Sequence, residues 1–118
     1  MKKNISFTID VDCGIGDINL KNDKVIDLGN ALVFQGVERA IPHFLEFLDS
    51  INAKGTFFIV ASTIQTKASE KLLREIVELG HEVGSHTVYH KKEFGKGKHE
   101  NIFGELKDSK NLLENITG

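Results

Sequence analysis

Apolar positions along the chain switch between two spacings, and each switch marks an expected element. Residues 4–9 alternate and are rich in β-formers, then give way to Asp10, Asp12 and Gly14. That pattern predicts a buried strand running into a loop. Residues 13–37 hold four of the eleven glycines and show no helical period. They read as a long loop, with a small hairpin in which 18–20 and 25–27 flank the turn 21–24. Loops of this length inside a compact domain are usually functional or mobile.

From Glu38 to Asn52 the period becomes helical, with Ile41, Phe44, Leu45, Leu48 and Ile51 at helix spacing. Pro42 is tolerated only in a first turn, so the regular helix is expected to begin near Ala40. Gly55 opens a second strand, Thr56-Phe57-Phe58-Ile59-Val60. Its nearly unbroken apolar run suits a strand covered on both faces, as in a parallel sheet. A second helix is expected over 69–79, capped by Ser69 and stopped by Gly80, with Leu72, Leu73, Ile76, Val77 and Leu79 inward. A short strand follows at 81–84, and a third helix at 101–115 turns Ile102, Phe103, Leu106, Leu112 and Leu113 to the core.

The order β-α-β-α-β-α implies an α/β fold with a parallel β-sheet and crossover helices. In such folds chemistry gathers at the carboxyl ends of the strands. The first strand ends in Asp10 and Asp12, and the third runs into His86 and His90. These four residues are expected to meet in space, although more than seventy positions separate the two pairs.

Composition narrows the picture. The chain has 118 residues, enough for a single domain, and its 40% hydrophobic and 27% charged content is that of a soluble globular protein. A net charge of -2 gives no reason to expect nucleic acid or an anionic membrane as partner. The single cysteine, Cys13, cannot form an intrachain disulfide, which favours a reducing compartment. Lys2 and Lys3 resemble the start of a signal peptide, but Ser6, Thr8, Asp10 and Asp12 break the apolar stretch that would follow. No signal peptide and no membrane span is read, and a cytoplasmic location is the expectation.

Asp10-Val11-Asp12 places two carboxylates on one face of an extended segment. Such a pair alone is most simply a solvated loop start or a capping pair. Like charges this close are costly unless a cation or a shared proton relieves them. His86 and His90, four apart, would point the same way from a helical turn and could share a cation; two surface histidines are the equal alternative. A carboxylate pair ending one parallel strand and a histidine pair ending another together favour a metal. Two histidines and one carboxylate are a common open catalytic set, with positions left for water and substrate.

Three segments carry a family resemblance: Phe7-Thr8-Ile9-Asp10-Val11-Asp12, Gly55-Thr56-Phe57-Phe58-Ile59-Val60, and the run from Gly80 to His90 that contains His86-Thr87-Val88-Tyr89-His90. In order and interval they resemble the first motif, the second-strand signature and the second motif of the polysaccharide deacetylases, the NodB-homology class. The resemblance covers essentially the whole chain. It implies the first half of an irregular (β/α) barrel, so residues 1–118 are expected to form a single, partial deacetylase-like domain. It also implies Asp12, His86 and His90 as metal ligands and Asp10 as the general base. Zinc is the expected metal, with cobalt, nickel, manganese and iron as alternatives. The reaction implied is removal of an acetyl or formyl group from an N-acylated carbohydrate or a small amide.

The family's two aspartates are usually adjacent. Here Val11 separates them, as in an Asp-x-Asp subgroup that acts on varied N-acyl compounds. The family's later motifs, with an arginine, an aspartate and a general-acid histidine, find no match. His43, His81 and His99 are expected to be a surface or packing residue, a structural hydrogen-bonding residue and a solvated loop residue. Cys13 reads as a small buried residue, with a soft metal ligand as the alternative, and Tyr89 as packing or pocket wall. A half barrel leaves a sheet edge and apolar faces open, so a homo-oligomer or a complementing C-terminal polypeptide is the expected protein partner.

Two other readings fit parts of the pattern. A haloacid-dehalogenase-like phosphatase would use Asp10 as nucleophile and Asp12 as acid with magnesium, leaving the histidines without a role. A catalytically inactive metal- or carbohydrate-binding remnant or subunit would bind a cation without turnover. Cys13-Gly14-Ile15-Gly16 lacks the third glycine and helix start of a dinucleotide loop.

Overall fold

The computed structural model describes residues 4–12, 29–90, 94–96 and 98–118, with side-chain surroundings in the first helix given from residue 37 onward. Its elements are β1 (Phe7–Val11), α1 (Gly29–Ser50), β2 (Gly55–Ile59), α2 (Lys67–Glu78), β3 (Glu82–Ser85) and α3 (His99–Thr117). The strands form one parallel sheet in the order β1-β2-β3. Phe7 pairs with Gly55 and Val11 with Ile59, while Thr56 pairs with Glu82 and Ile59 with Ser85. The expected α/β architecture is therefore present. The expected hairpin at 18–27 and Cys13 lie outside the described residues.

One face of the sheet holds the core. Val11, Phe57 and Ile59 are buried against Val37, Ile41, Leu45 and Leu48 of α1 and Leu73 and Ile76 of α2. Leu113 joins them from α3. The second face carries Thr8, Asp10, Thr56, Phe58 and Glu82, exposed or half-buried. The expectation that β2 is covered on both faces is thus corrected: its burial alternates residue by residue. On the second face the Thr56 hydroxyl donates to Glu82 Oε2 at 2.7 Å. The Phe58 ring lies over Gly84, where a Cβ would come within 2.7 Å of it. Glycine at 84 is what admits that ring.

Three helix expectations change. α1 begins at Gly29, not near Ala40, and carries Pro42 in its interior. An interior proline costs about 3 kcal/mol or more, since it removes an N–H and crowds the preceding turn. The buried stripe Val37, Ile41, Leu45, Leu48 runs straight through it. At about 1.5–3 kcal/mol for each buried aliphatic side chain, that stripe outweighs the break. Phe44 and Ile51, expected inward, are exposed. The helix ends on Asn52 at φ 51°, with the amides of Asn52 and Ala53 donating to Asp49 and Leu48 carbonyls. Asparagine is among the few residues that adopt this left-handed turn readily.

α2 begins at Lys67, and its N-cap is Thr66 rather than Ser69. Thr66 Oγ1 accepts from the Ser69 amide at 3.0 Å, and Ser69 Oγ accepts from the Thr66 amide at 3.0 Å. This is a capping box in which serine takes the usual place of glutamate or glutamine. Thr66 Oγ1 also donates to Glu38 Oε1 at 2.6 Å, tying the cap to α1. Val77 and Leu79 face solvent, and Gly80 at φ 79° ends the helix as expected. In α3, Phe103 and Leu106 are exposed, while Ser109 and Leu113 are buried. His99 is exposed at the start of α3, not in a loop, and exposed His43 lies 3.7 Å from Glu46.

His81 enters β3 as a buried structural residue. The Gly55 amide donates to its Nδ1 at 3.1 Å, and its ring meets Phe57 edge-on at 5.7 Å. Burial foremost, then the nearby Lys54 charge, hold its pKa below the ordinary histidine value, with Asp49 opposing. Protonation would also turn the Nδ1 acceptor towards a donor. In the unfolded chain the imidazole binds its proton more readily, so this contribution to stability is complete above about pH 6.5 and declines as pH falls towards the folded value. Urea midpoints measured from pH 7.5 to 5 are expected to fall more steeply for the wild type than for His81→Asn. Parallel curves would remove His81 as the source.

Candidate metal centre

β1 and β3 lie on either side of β2, so their backbones stand about 10 Å apart. Hydrogen bonding continues past the last paired residues: the Val60 amide donates to Val11 O at 3.1 Å and the His86 amide to Ile59 O at 2.9 Å. Asp12 and His86 therefore leave the sheet at the same level, flanking the buried Val60. Their side chains close most of the distance between them. One ligand atom from each of Asp12, His86 and His90 lies within 4.8 Å of the others.

His90 Nε2 is 3.8 Å from Asp12 Oδ2. The imidazoles of His86 and His90 stack at 4.8 Å with an interplanar angle of 24°. Zinc binds imidazole nitrogen and carboxylate oxygen at about 2.0–2.1 Å, which places neighbouring donors about 3.4 Å apart in a tetrahedron. The His90–Asp12 separation is already near that value, and two imidazoles with one carboxylate are a chemically suitable donor set. Both side chains remain more than a third exposed, at 37% and 39%, so a cation can enter from solvent.

Asp10 stands two residues before Asp12, within β1, paired with Phe58 and exposed on the second face. It lies outside the group of three. The expected convergence of four residues is thus seen for Asp12, His86 and His90, and Asp10 is not among them.

The histidines do not sit on the expected helical turn. Thr87 and His90 have φ of 68° and 51°, and His86-to-His90 is a tight irregular turn. Left-handed conformations at such residues cost about 1–2 kcal/mol each, so the turn must be held from outside. The Ala61 and Ser62 amides donate to the carbonyls of Thr87 and Val88 at 3.0 and 2.9 Å. The His90 amide donates to Thr87 Oγ1 at 2.9 Å. From α3, Glu105 Oε2 accepts from the Val88 amide at 3.0 Å. Sequence reading missed Thr87 and Glu105. A side chain that serves a backbone amide across the fold leaves no periodic signal; only the hydroxyl directly after His86 hinted at a turn.

The family model described as Polysaccharide deacetylase matches residues 27–118. That span includes His86 and His90 but not Asp10 and Asp12. A comparison with curated proteins returns no significant match. Among solved structures, the chain is similar to one from Mycobacterium smegmatis described as a putative polysaccharide deacetylase, at 24% identity and TM-score 0.76. The alignment covers 96% of this chain and 39% of that one. A CE4 family pseudoenzyme from Bacillus anthracis is similar at 21% identity and TM-score 0.62, covering 95% of this chain and 31% of that one. A mutant CE4 family pseudoenzyme with restored enzymatic activity matches at 23% identity and TM-score 0.63, covering 95% and 32%. The chain thus spans roughly a third of the length of the structures it resembles. The family match sets aside the phosphatase reading, and on that match together with the shared fold the chain belongs to the polysaccharide deacetylase family.

Proposed function

We propose that this chain supplies the cation-holding part of a metal-dependent hydrolase that removes an acetyl or formyl group from an amino sugar or a related small amide. The observation that carries the reading is the group of Asp12, His86 and His90, with donor atoms within 4.8 Å, at the carboxyl edge of a parallel sheet in a chain of this family. Asp12, His86 and His90 hold the metal, with zinc preferred and cobalt, nickel, manganese or iron as alternatives. When bound, a divalent cation supplies Lewis acidity to the acyl carbonyl and to water.

Asp10 acts as general base. It shares a strand face with Asp12, stays exposed, and is left free to accept the proton of the attacking water. The proton for the departing amine has no clear source among the described residues. His81 is buried at the opposite end of β3, about 16 Å of strand from His86. His43 is exposed on α1. The part of the family fold beyond these 118 residues, on this chain or on a complementing polypeptide, is therefore proposed as the source of the general acid.

The test is release of acetate or formate from N-acetylated chito-oligosaccharides and formamido sugars in the presence of zinc or cobalt. The chain is measured alone and joined to a C-terminal completing segment. Asp10→Asn is expected to lower kcat by about 10²–10⁴-fold with cation binding retained. An unchanged rate in that variant would overturn the assignment of the base. The likeness to a CE4 family pseudoenzyme favours one second reading, a cation- or carbohydrate-binding subunit without turnover. Cation binding with no product in either form would select it.

A further inference from the structure

The turn that carries both histidines is bound by α3 through two side chains one helical turn apart. Glu105 Oε2 accepts from two successive backbone amides, Val88 at 3.0 Å and Tyr89 at 3.4 Å. Ser109, fully buried, is bonded to Ser85 at 2.7 Å, with the Ser85 hydroxyl donating. Ser85 Oγ in turn accepts from the Thr87 amide at 3.3 Å. Three consecutive amides of the turn, at 87, 88 and 89, thereby end on side chains anchored to or supplied by α3.

The turn needs such support. Its two left-handed residues, Thr87 and His90, bracket the amides that Glu105 receives. The part-buried Val88 amide, left without an acceptor, would cost about 1–3 kcal/mol, comparable with the strain itself, while the Tyr89 amide is exposed. A carboxylate is the strongest side-chain acceptor for paired N–H groups.

We propose that Glu105 is a positioning residue. It holds the His86–His90 turn in its left-handed form, so that both imidazoles face Asp12 before any cation arrives. The inference rests on the cation site proposed above, and adds to it a residue outside the group of donors. Groups that orient a metal's ligands change affinity by about 10–100-fold when removed, and Glu105 acts at that level through the backbone. Glutamine at 105 keeps a carbonyl oxygen at the same reach and preserves most of the effect; alanine removes the acceptor.

Two measurements on the full chain decide it. The first is amide hydrogen exchange of the metal-free protein. Glu105→Ala is expected to lower protection at Val88 and Tyr89 by tenfold or more relative to amides of β2 and α2, and Glu105→Gln to restore it within about threefold. The second is zinc affinity by calorimetry, expected to fall about 10–100-fold in Glu105→Ala and to recover in Glu105→Gln. Unchanged protection at Val88 and Tyr89, or a loss spread evenly over the whole chain, overturns the proposal. If the wild type binds no zinc, the cation reading fails, and the exchange result alone still decides the role of Glu105.

Discussion

Zinc titrated into metal-stripped protein is expected to bind once per chain, and to bind more than about 100-fold more weakly to Asp12→Ala, His86→Ala or His90→Ala. Loss of a group that merely orients a ligand costs about 10–100-fold, so loss of a ligand must cost more. The argument rests on geometry. Three donors from the carboxyl ends of β1 and β3 lie within 4.8 Å, and His90 is within 3.8 Å of Asp12. With three protein donors among the described residues, removing one leaves two, too few to compete with water for a hydrated ion. His43→Ala and His99→Ala, on exposed histidines of α1 and α3, serve as controls and should bind as the wild type does. Equal affinity in Asp12→Ala and the wild type would disprove the site, because any cation would then be held elsewhere. The same result would remove the basis for Asp10 as general base.

Phe57→Ala is expected to cost about 3–5 kcal/mol of folding stability. Phe57 is completely buried on the central strand, and it is the largest fully buried side chain among the described residues. It contacts the core that α1 and α2 lay over the sheet, and its ring meets His81 edge-on. A domain typically has about 5–15 kcal/mol in total, so the variant should lose a large share of its stability. Phe47→Ala is the comparison. Phe47 is 51% exposed on α1 and meets Phe7 edge-on at 6.3 Å, a contact worth about 0.5–1.5 kcal/mol. Urea midpoints for the two variants measure the difference. A Phe57→Ala midpoint within 1 kcal/mol of the wild type, on the about 1–3 kcal/mol per molar scale of urea unfolding, would show that the core is not centred there.

These effects come from different links between sequence and structure. Phe57 was legible because an apolar five-residue run after a glycine has few other readings than a buried strand. The group of Asp12, His86 and His90 was legible because parallel topology directs the ends of β1 and β3 to one edge, whatever lies between them. Asp12 and His86 needed only that rule and their place after each strand. Their partner His90 needed the spacing of four, although the turn that makes the spacing work is left-handed rather than helical.

The chain by itself therefore determined the alternation of strands and helices, the parallel sheet and the edge where charged and imidazole side chains collect. It did so because hydrophobic period and chain connectivity are local properties that constrain topology strongly. Tertiary structure alone decided that α1 runs on through Pro42, since packing of Val37, Ile41, Leu45 and Leu48 overrides its local cost. It decided that Phe44, Ile51, Val77, Leu79, Phe103 and Leu106 face outward, because helical spacing supplies more apolar positions than a single sheet face can cover. It also decided that Thr66 is tied to Glu38 of α1 and that Glu105 holds the histidine turn. Those bonds join groups whose meeting depends on three-dimensional placement, and a carboxylate seeking a backbone amide on another element has no period, no spacing and no neighbour in the sequence to announce it.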